Sequence, residues 1–136
     1  MRQLVFAVLV SGAMGTGLQA QTAADPEIEA VISDQFADFR AGDVAAAFDN
    51  ASPLIRSIFG SPETFGHMVQ SGYPVIWASA EVRYLGLRSE AGRTFQRLMV
   101  RGASGAVQVF DYEMVQVDGQ WRINGVFPVE AEQIGV

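Results

Sequence analysis

The stretch AVQVFDYEMVQVDGQWRINGVFPV, residues 106–129, decides the fold. Two apolar-rich runs flank Asp118-Gly119, a dipeptide suited to the left-handed angles of a two-residue type I′ hairpin turn. With those two residues at the turn, Val117 faces Gln120, and the pairs run back as Gln116 with Trp121, Val115 with Arg122 and Met114 with Ile123. Glu113 then meets Asn124, Tyr112 meets Gly125, Asp111 meets Val126 and Phe110 meets Phe127. Because alternate strand residues point to opposite faces, Phe110, Tyr112, Met114, Trp121, Ile123 and Phe127 share one face. Asp111, Glu113, Arg122 and Asn124 share the other, bordered by Val109, Val115 and Val126. A slip of one residue would bury the charged set, so the register is expected to be firmly held.

Working outward, the chain before this ribbon divides into helices and then strands. Asp25-Pro26-Glu27 offers an N-cap, a proline for the first helical position and a carboxylate for the positive end of the dipole. Ile28, Val31, Ile32, Gln35, Phe36 and Phe39 follow at the spacing of one buried stripe. Gly42 supplies the stop. Asp43 caps a shorter helix through Ala45 to Phe48, and Ser52-Pro53 and Ser61-Pro62 start two more, around Leu54 to Phe59 and Glu63 to Gln70. From Tyr73-Pro74 the spacing turns β-like. Val75 to Arg88 is expected to hold a long strand with a bulge near Tyr84 to Gly86, where the apolar phase changes. A turn over Ser89 to Arg93 and a strand over Thr94 to Arg101 lead to the ribbon. This order describes an α+β domain over residues 25–130, with N-terminal helices packed on a curved, about four-stranded antiparallel sheet. Burial of Trp121 or Phe36 in that layer predicts a loss of about 3–5 kcal/mol when either is truncated.

The first residues read differently. Met1 and Arg2 precede an apolar run from Leu4 to about Met14, followed by Leu18-Gln19-Ala20, the pattern of a secretory signal peptide over residues 1–20, with Thr22-Ala23-Ala24 as a second cleavage site. The run is shorter than the roughly 20 residues needed to span a bilayer. Export is therefore expected, to the periplasm or outside the cell, with no membrane attachment after cleavage. The chain has no cysteine, so neither disulfides nor thiolate chemistry contribute. All nine basic residues are arginine, which removes Schiff-base lysine chemistry and the phosphate-loop lysine. A formal charge of −6 argues against nucleic acid as a partner.

With "FRAGDVAAAF" on the opening helices and "GQWRINGV" on the last strand, the chain resembles the nuclear transport factor 2-like, or cystatin-like cone, superfamily. Within it, "ISDQFADFRAGD", "ASPLIRSIFGSPETFGHMVQSGYPVIW", "AEVRYLGLR" and "VFDYEMVQ" look like the bacterial domain-of-unknown-function family 4864. The resemblance covers nearly all of the chain after the leader and implies a cone-shaped bent sheet, often dimeric, whose open end holds a ligand or an active site in some relatives. The matching motifs are caps, turns and core positions. No catalytic motif of the superfamily's isomerases is present, so no catalytic residue carries over.

Candidate chemistry is sparse. Asp111 and Glu113 lie two apart on one strand, about 7 Å between α-carbons, a separation suited either to acid–base work or to a solvated face with Arg122 and Asn124 opposite. Tyr112 is the inward residue of interest, because Gly125 across from it leaves room for a ligand beside the phenol. Trp77, Tyr84 and Arg97 are candidates for the mouth of a cone, and His67, the single histidine, for a titrating group. One imidazole without partners makes no metal site, and no metal or cofactor is expected. The expected protein is a non-enzymatic module binding a small apolar ligand or a protein partner. The alternatives are a homodimeric assembly domain and an isomerase or dehydratase-like enzyme using Tyr112 with an acidic residue or His67 as base.

Overall fold

A computed structural model describes residues 20–130. The signal-peptide reading falls on residues 1–19, outside that range, apart from its last residue. Helix α1 (Pro26–Ala41) starts where Asp25 accepts a hydrogen bond from the Glu27 amide at 2.9 Å and ends at Gly42, whose φ of 71° only glycine adopts cheaply. α2 (Val44–Asp49) is capped by Asp43, α3 (Pro53–Phe59) by Ser52 and α4 (Pro62–Gly72) by Ser61, each side chain accepting from a backbone amide two residues into the helix or beyond. The caps and prolines in the sequence thus set four helix starts.

One segment departs from the β-like reading. Pro74–Trp77 forms a short helix, α5, and the long strand begins only at Ser79. Pro74 at the first helical position fixes φ for a helical turn, and that turn tucks both Val75 and Ile76 into the core, which a two-sided strand here would not do.

The strands are β1 (Ala20–Thr22), β2 (Ser79–Glu90), β3 (Arg93–Gly102), β4 (Val107–Val117) and β5 (Gln120–Pro128), joined in chain order in one antiparallel sheet. The helices precede the four long strands, giving an α+β fold; the three-residue β1 lies along the edge at Leu87 to Ser89. Two-residue turns at Ala91-Gly92 and Asp118-Gly119 have positive φ at both positions, as type I′ geometry requires. The expected irregularity in β2 is present: pairing with β3 shifts between Tyr84 and Leu87.

The terminal hairpin follows the predicted pairs from Val117–Gln120 to Met114–Ile123, then changes. Asn124 is an extra residue in β5, so Glu113 pairs with Gly125, Tyr112 with Val126 and Asp111 with Phe127. A bulge of this kind exchanges the faces beyond it. Phe127 therefore leaves the core face and stands beside Asp111, almost half exposed, whereas Val126 turns inward and packs on the core. Gly125 faces Glu113, where a β-carbon would lie 3.0 Å from the Phe127 ring.

Between the layers, Ile28, Ile32, Phe36 and Phe39 of α1 meet Leu98, Val100, Phe110 and Tyr112 of the sheet. Phe36 stacks on Tyr112 with ring centroids 6.1 Å apart. Trp121 is only half-buried, so its truncation costs less than the fully buried reading predicts. The linker between α2 and α3 also ties to the sheet edge: Ile123 donates to the Asn50 carbonyl at 2.9 Å, and Ser52 donates to the Ile123 carbonyl at 2.8 Å.

Candidate functional site

A cavity of about 290 Å³ opens between α1, α3, α4, α5 and the strands β4 and β5. Its floor is Tyr112, Ile123 and Val126, and its walls include Phe39, Phe65 and Met68. At the mouth stand Leu54 and Ile58 of α3, 55% and 62% exposed. They lie four apart on one helix face. α3 has no fully buried residue: Ile55 and Phe59 pack part-buried against the core, while Leu54 and Ile58 stay exposed beside the cavity.

The polar groups in this wall are mostly committed elsewhere. Gln35 Nε2 donates to the Ala47 carbonyl at 3.0 Å. Asn124, displaced into the wall by the bulge, accepts from Ser52 Oγ at 2.7 Å and donates to Glu113 at 3.3 Å. Tyr112 is different: its hydroxyl is buried and has no hydrogen-bond partner. Burial pushes its pKa well above the ordinary phenol value, with Tyr84 and Tyr73 reinforcing the effect, so at neutral pH it is a hydrogen-bond donor. Among the described residues, no charged side chain lines the cavity.

The sequence-predicted site residues separate in space. Tyr112 is in the cavity floor, although Val126 rather than Gly125 is its cross-strand partner. Tyr84 faces α1, where its hydroxyl pairs with Ser33 Oγ at 2.5 Å and donates to the Glu29 carbonyl at 3.0 Å. Trp77 packs against Phe39, 5.7 Å between ring centroids. His67 is exposed on α4. Arg97 is on the far face of the sheet, donating to Asp111 from Nε at 2.9 Å and from Nη2 at 3.0 Å. Leu54, Ile58, Met68 and Val126, which line the cavity, were legible in sequence only as helix or strand positions.

The far face holds the carboxylates in ion pairs. Asp111 is clamped by Arg97 and by Arg88 at 3.0 Å, and Glu113 takes both arms of Arg93. Arg88 and Arg93 sit over the Phe95 ring at 4.8 and 5.0 Å, and Phe127 meets that ring edge-on. Charge is divided between the layers. Six of the described arginines lie on strands, whereas α1 to α4 and their caps carry Arg40 and Arg56 against eight carboxylates. The net negative charge therefore belongs to the helical layer, and the strand carboxylates Asp111 and Glu113 are structural partners of arginine rather than free acids.

Fold and site together define an α+β domain whose helical layer encloses a charge-free apolar cavity against an antiparallel sheet. The chain belongs to the family described as "Domain of unknown function (DUF4864)", which matches residues 21–136. No curated protein and no solved structure matches it.

Proposed function

We propose that this protein is an exported, non-enzymatic module that binds one small, neutral, apolar molecule in the cavity. The observation that carries the reading is Tyr112, a lining residue of a largely apolar space whose hydroxyl is a buried donor without a partner. Leaving such a group unsatisfied costs about 1–3 kcal/mol, a cost that an acceptor on a ligand removes. The size and lining of the space agree with small-molecule sites in general. Acid–base catalysis finds little support: among the described residues the wall carries neither carboxylate nor imidazole, and Asp111 and Glu113 are committed to arginines on the other face. Export rests on the Met1 to Ala20 pattern. The order of helices before sheet supports kinship with the nuclear transport factor 2-like superfamily.

Native mass spectrometry of the protein purified without organic solvent tests the reading, followed by a thermal-shift series with neutral alkyl and aryl compounds. The expected result is a retained adduct, or stabilisation by at least one compound, with affinity about 2- to 10-fold weaker in Tyr112→Phe. Absence of any adduct and of any shift across the series overturns it.

A further inference from the structure

We infer that α3 is the gate of the cavity: it lifts from the core about its anchored N-terminal end, and ligand enters and leaves while it is lifted. The inference rests on the ligand-binding reading above and adds how the site is reached. Of the five described helices, α3 alone has no buried residue. Yet Leu54, Ile55, Ile58 and Phe59, four of its seven residues, line the cavity. The helix that contributes least to the core is thus one that closes the site.

Seven residues are too few for a helix to persist without tertiary support, so whatever holds α3 down decides how often it opens. That hold is uneven. At the N-terminal end, the Ser52 amide donates to the Ile123 carbonyl at 2.8 Å, the Ile123 amide to the Asn50 carbonyl at 2.9 Å and Ser52 Oγ to Asn124 Oδ1 at 2.7 Å, all ties to β5. Ser52 Oγ also accepts from the Ile55 amide at 3.3 Å, which joins the first turn to the same anchor. Beyond that turn the support is apolar and partial. Ile55 and Phe59 are half-buried, and Phe59 meets Phe65 with ring centroids 5.8 Å apart. The helix ends at Gly60, where a φ of 80° and open space around the α-carbon make an elbow before α4. Arg56, midway along α3, keeps its Nε buried without a hydrogen-bond partner. Lifting the helix gives that donor to water, so the closed position carries a cost that the open one does not. Segments with so few buried contacts open locally while the rest of a fold stays intact.

Two measurements on the intact protein test the gate. Hydrogen exchange without ligand should show the Arg56 and Gly60 amides, bonded within α3 at 3.0 and 2.8 Å, exchanging at least about tenfold faster than bonded amides of α1 and β4. Protection equal to that of α1 overturns the gate whether or not a ligand binds. Stopped-flow binding of a neutral naphthylamine fluorophore then reads the gate through Ser57, which is exposed and outside the cavity lining. Helix propensity falls from alanine through serine to glycine, so Ser57→Ala holds α3 closed and Ser57→Gly releases it without touching the ligand. Association and dissociation rates should both fall about 2-fold in Ser57→Ala and both rise about 2-fold in Ser57→Gly, with Kd unchanged, because a gate scales the two directions alike. Ser52→Ala, which removes the cap and the bond to Asn124, should raise both rates about 5-fold; if that variant does not fold, the Ser57 pair decides alone. Rates indifferent to the Ser57 pair, or a change in Kd with association unaltered, overturn the inference while the cavity reading stands. If the wild type does not bind the fluorophore, the cavity reading fails, and the inference with it.

Discussion

Replacing Phe36 by alanine is expected to remove about 3–5 kcal/mol of stability, from a total of roughly 5–15 kcal/mol for a domain of this kind. The ring is 1% exposed and joins the two layers by stacking on Tyr112, itself in the cavity floor. Its loss enlarges the space between helix and sheet, and neighbours as constrained as Leu98 and Phe110 cannot close over it. Urea unfolding of Phe36→Ala against wild type measures the loss. A change below about 1 kcal/mol would mean that α1 does not dock on the sheet through this ring.

The second large effect is on the other face. Asp111→Ala strips the shared carboxylate from Arg88 and Arg97 and should cost about 2–4 kcal/mol, somewhat below the usual figure for breaking a fully buried pair. The reduction follows because the two arginine side chains keep 20% and 23% of their surface in water. Burial of Asp111 by itself raises its pKa, but hydrogen bonds and charge from the two guanidiniums outweigh burial and hold it below the ordinary carboxylate value. Glu113 is lowered too, chiefly by its hydrogen bond from Arg93. A carboxylate whose folded pKa is depressed adds stability that is complete above its unfolded value, near 4, and is lost as pH falls through the folded value. Wild-type stability should therefore decline steeply below about pH 4, and the Asp111→Ala variant, already lacking one such group, should decline less steeply. Parallel acid slopes in the two proteins would remove Asp111 from the electrostatic account.

The sequence was most legible where local chemistry is strong. Serine or aspartate caps followed by proline or apolar runs located α1 to α4, and Asp118-Gly119 fixed the turn and the first four pairs of the hairpin. It was least legible where tertiary contact decides. The bulge at Asn124 exchanges Val126 and Phe127 between faces, and Asn124 there bonds Glu113 of the neighbouring strand and Ser52, 72 residues away in the chain. Gly125, an isolated glycine inside a strand, was the available signal for it. Pro74 misled in another way: the β-branched Val75 and Ile76 suggested a strand, but packing against the sheet selected a helical turn. For the site, Tyr112 was visible because strand alternation places it inward. The same alternation puts Gln96 in phase with Leu98 and Val100, so this buried amide, which lies outside the cavity lining, could have been read directly from the β3 pattern. The cavity walls could not, since nothing in Leu54, Ile58 or Met68 announces which element lies opposite.

We propose that the largely apolar cavity floored by Tyr112 and Val126 admits a neutral ligand. Its most direct measurement is fluorescence titration of a neutral naphthylamine probe into wild type, Val126→Trp and Val115→Trp. Val126 lines the cavity and Val115 stands on the opposite face of the same sheet. Saturable, blue-shifted emission in wild type and Val115→Trp, absent from Val126→Trp, is the predicted result. Equal emission from the two variants, or none from the wild type, would contradict it.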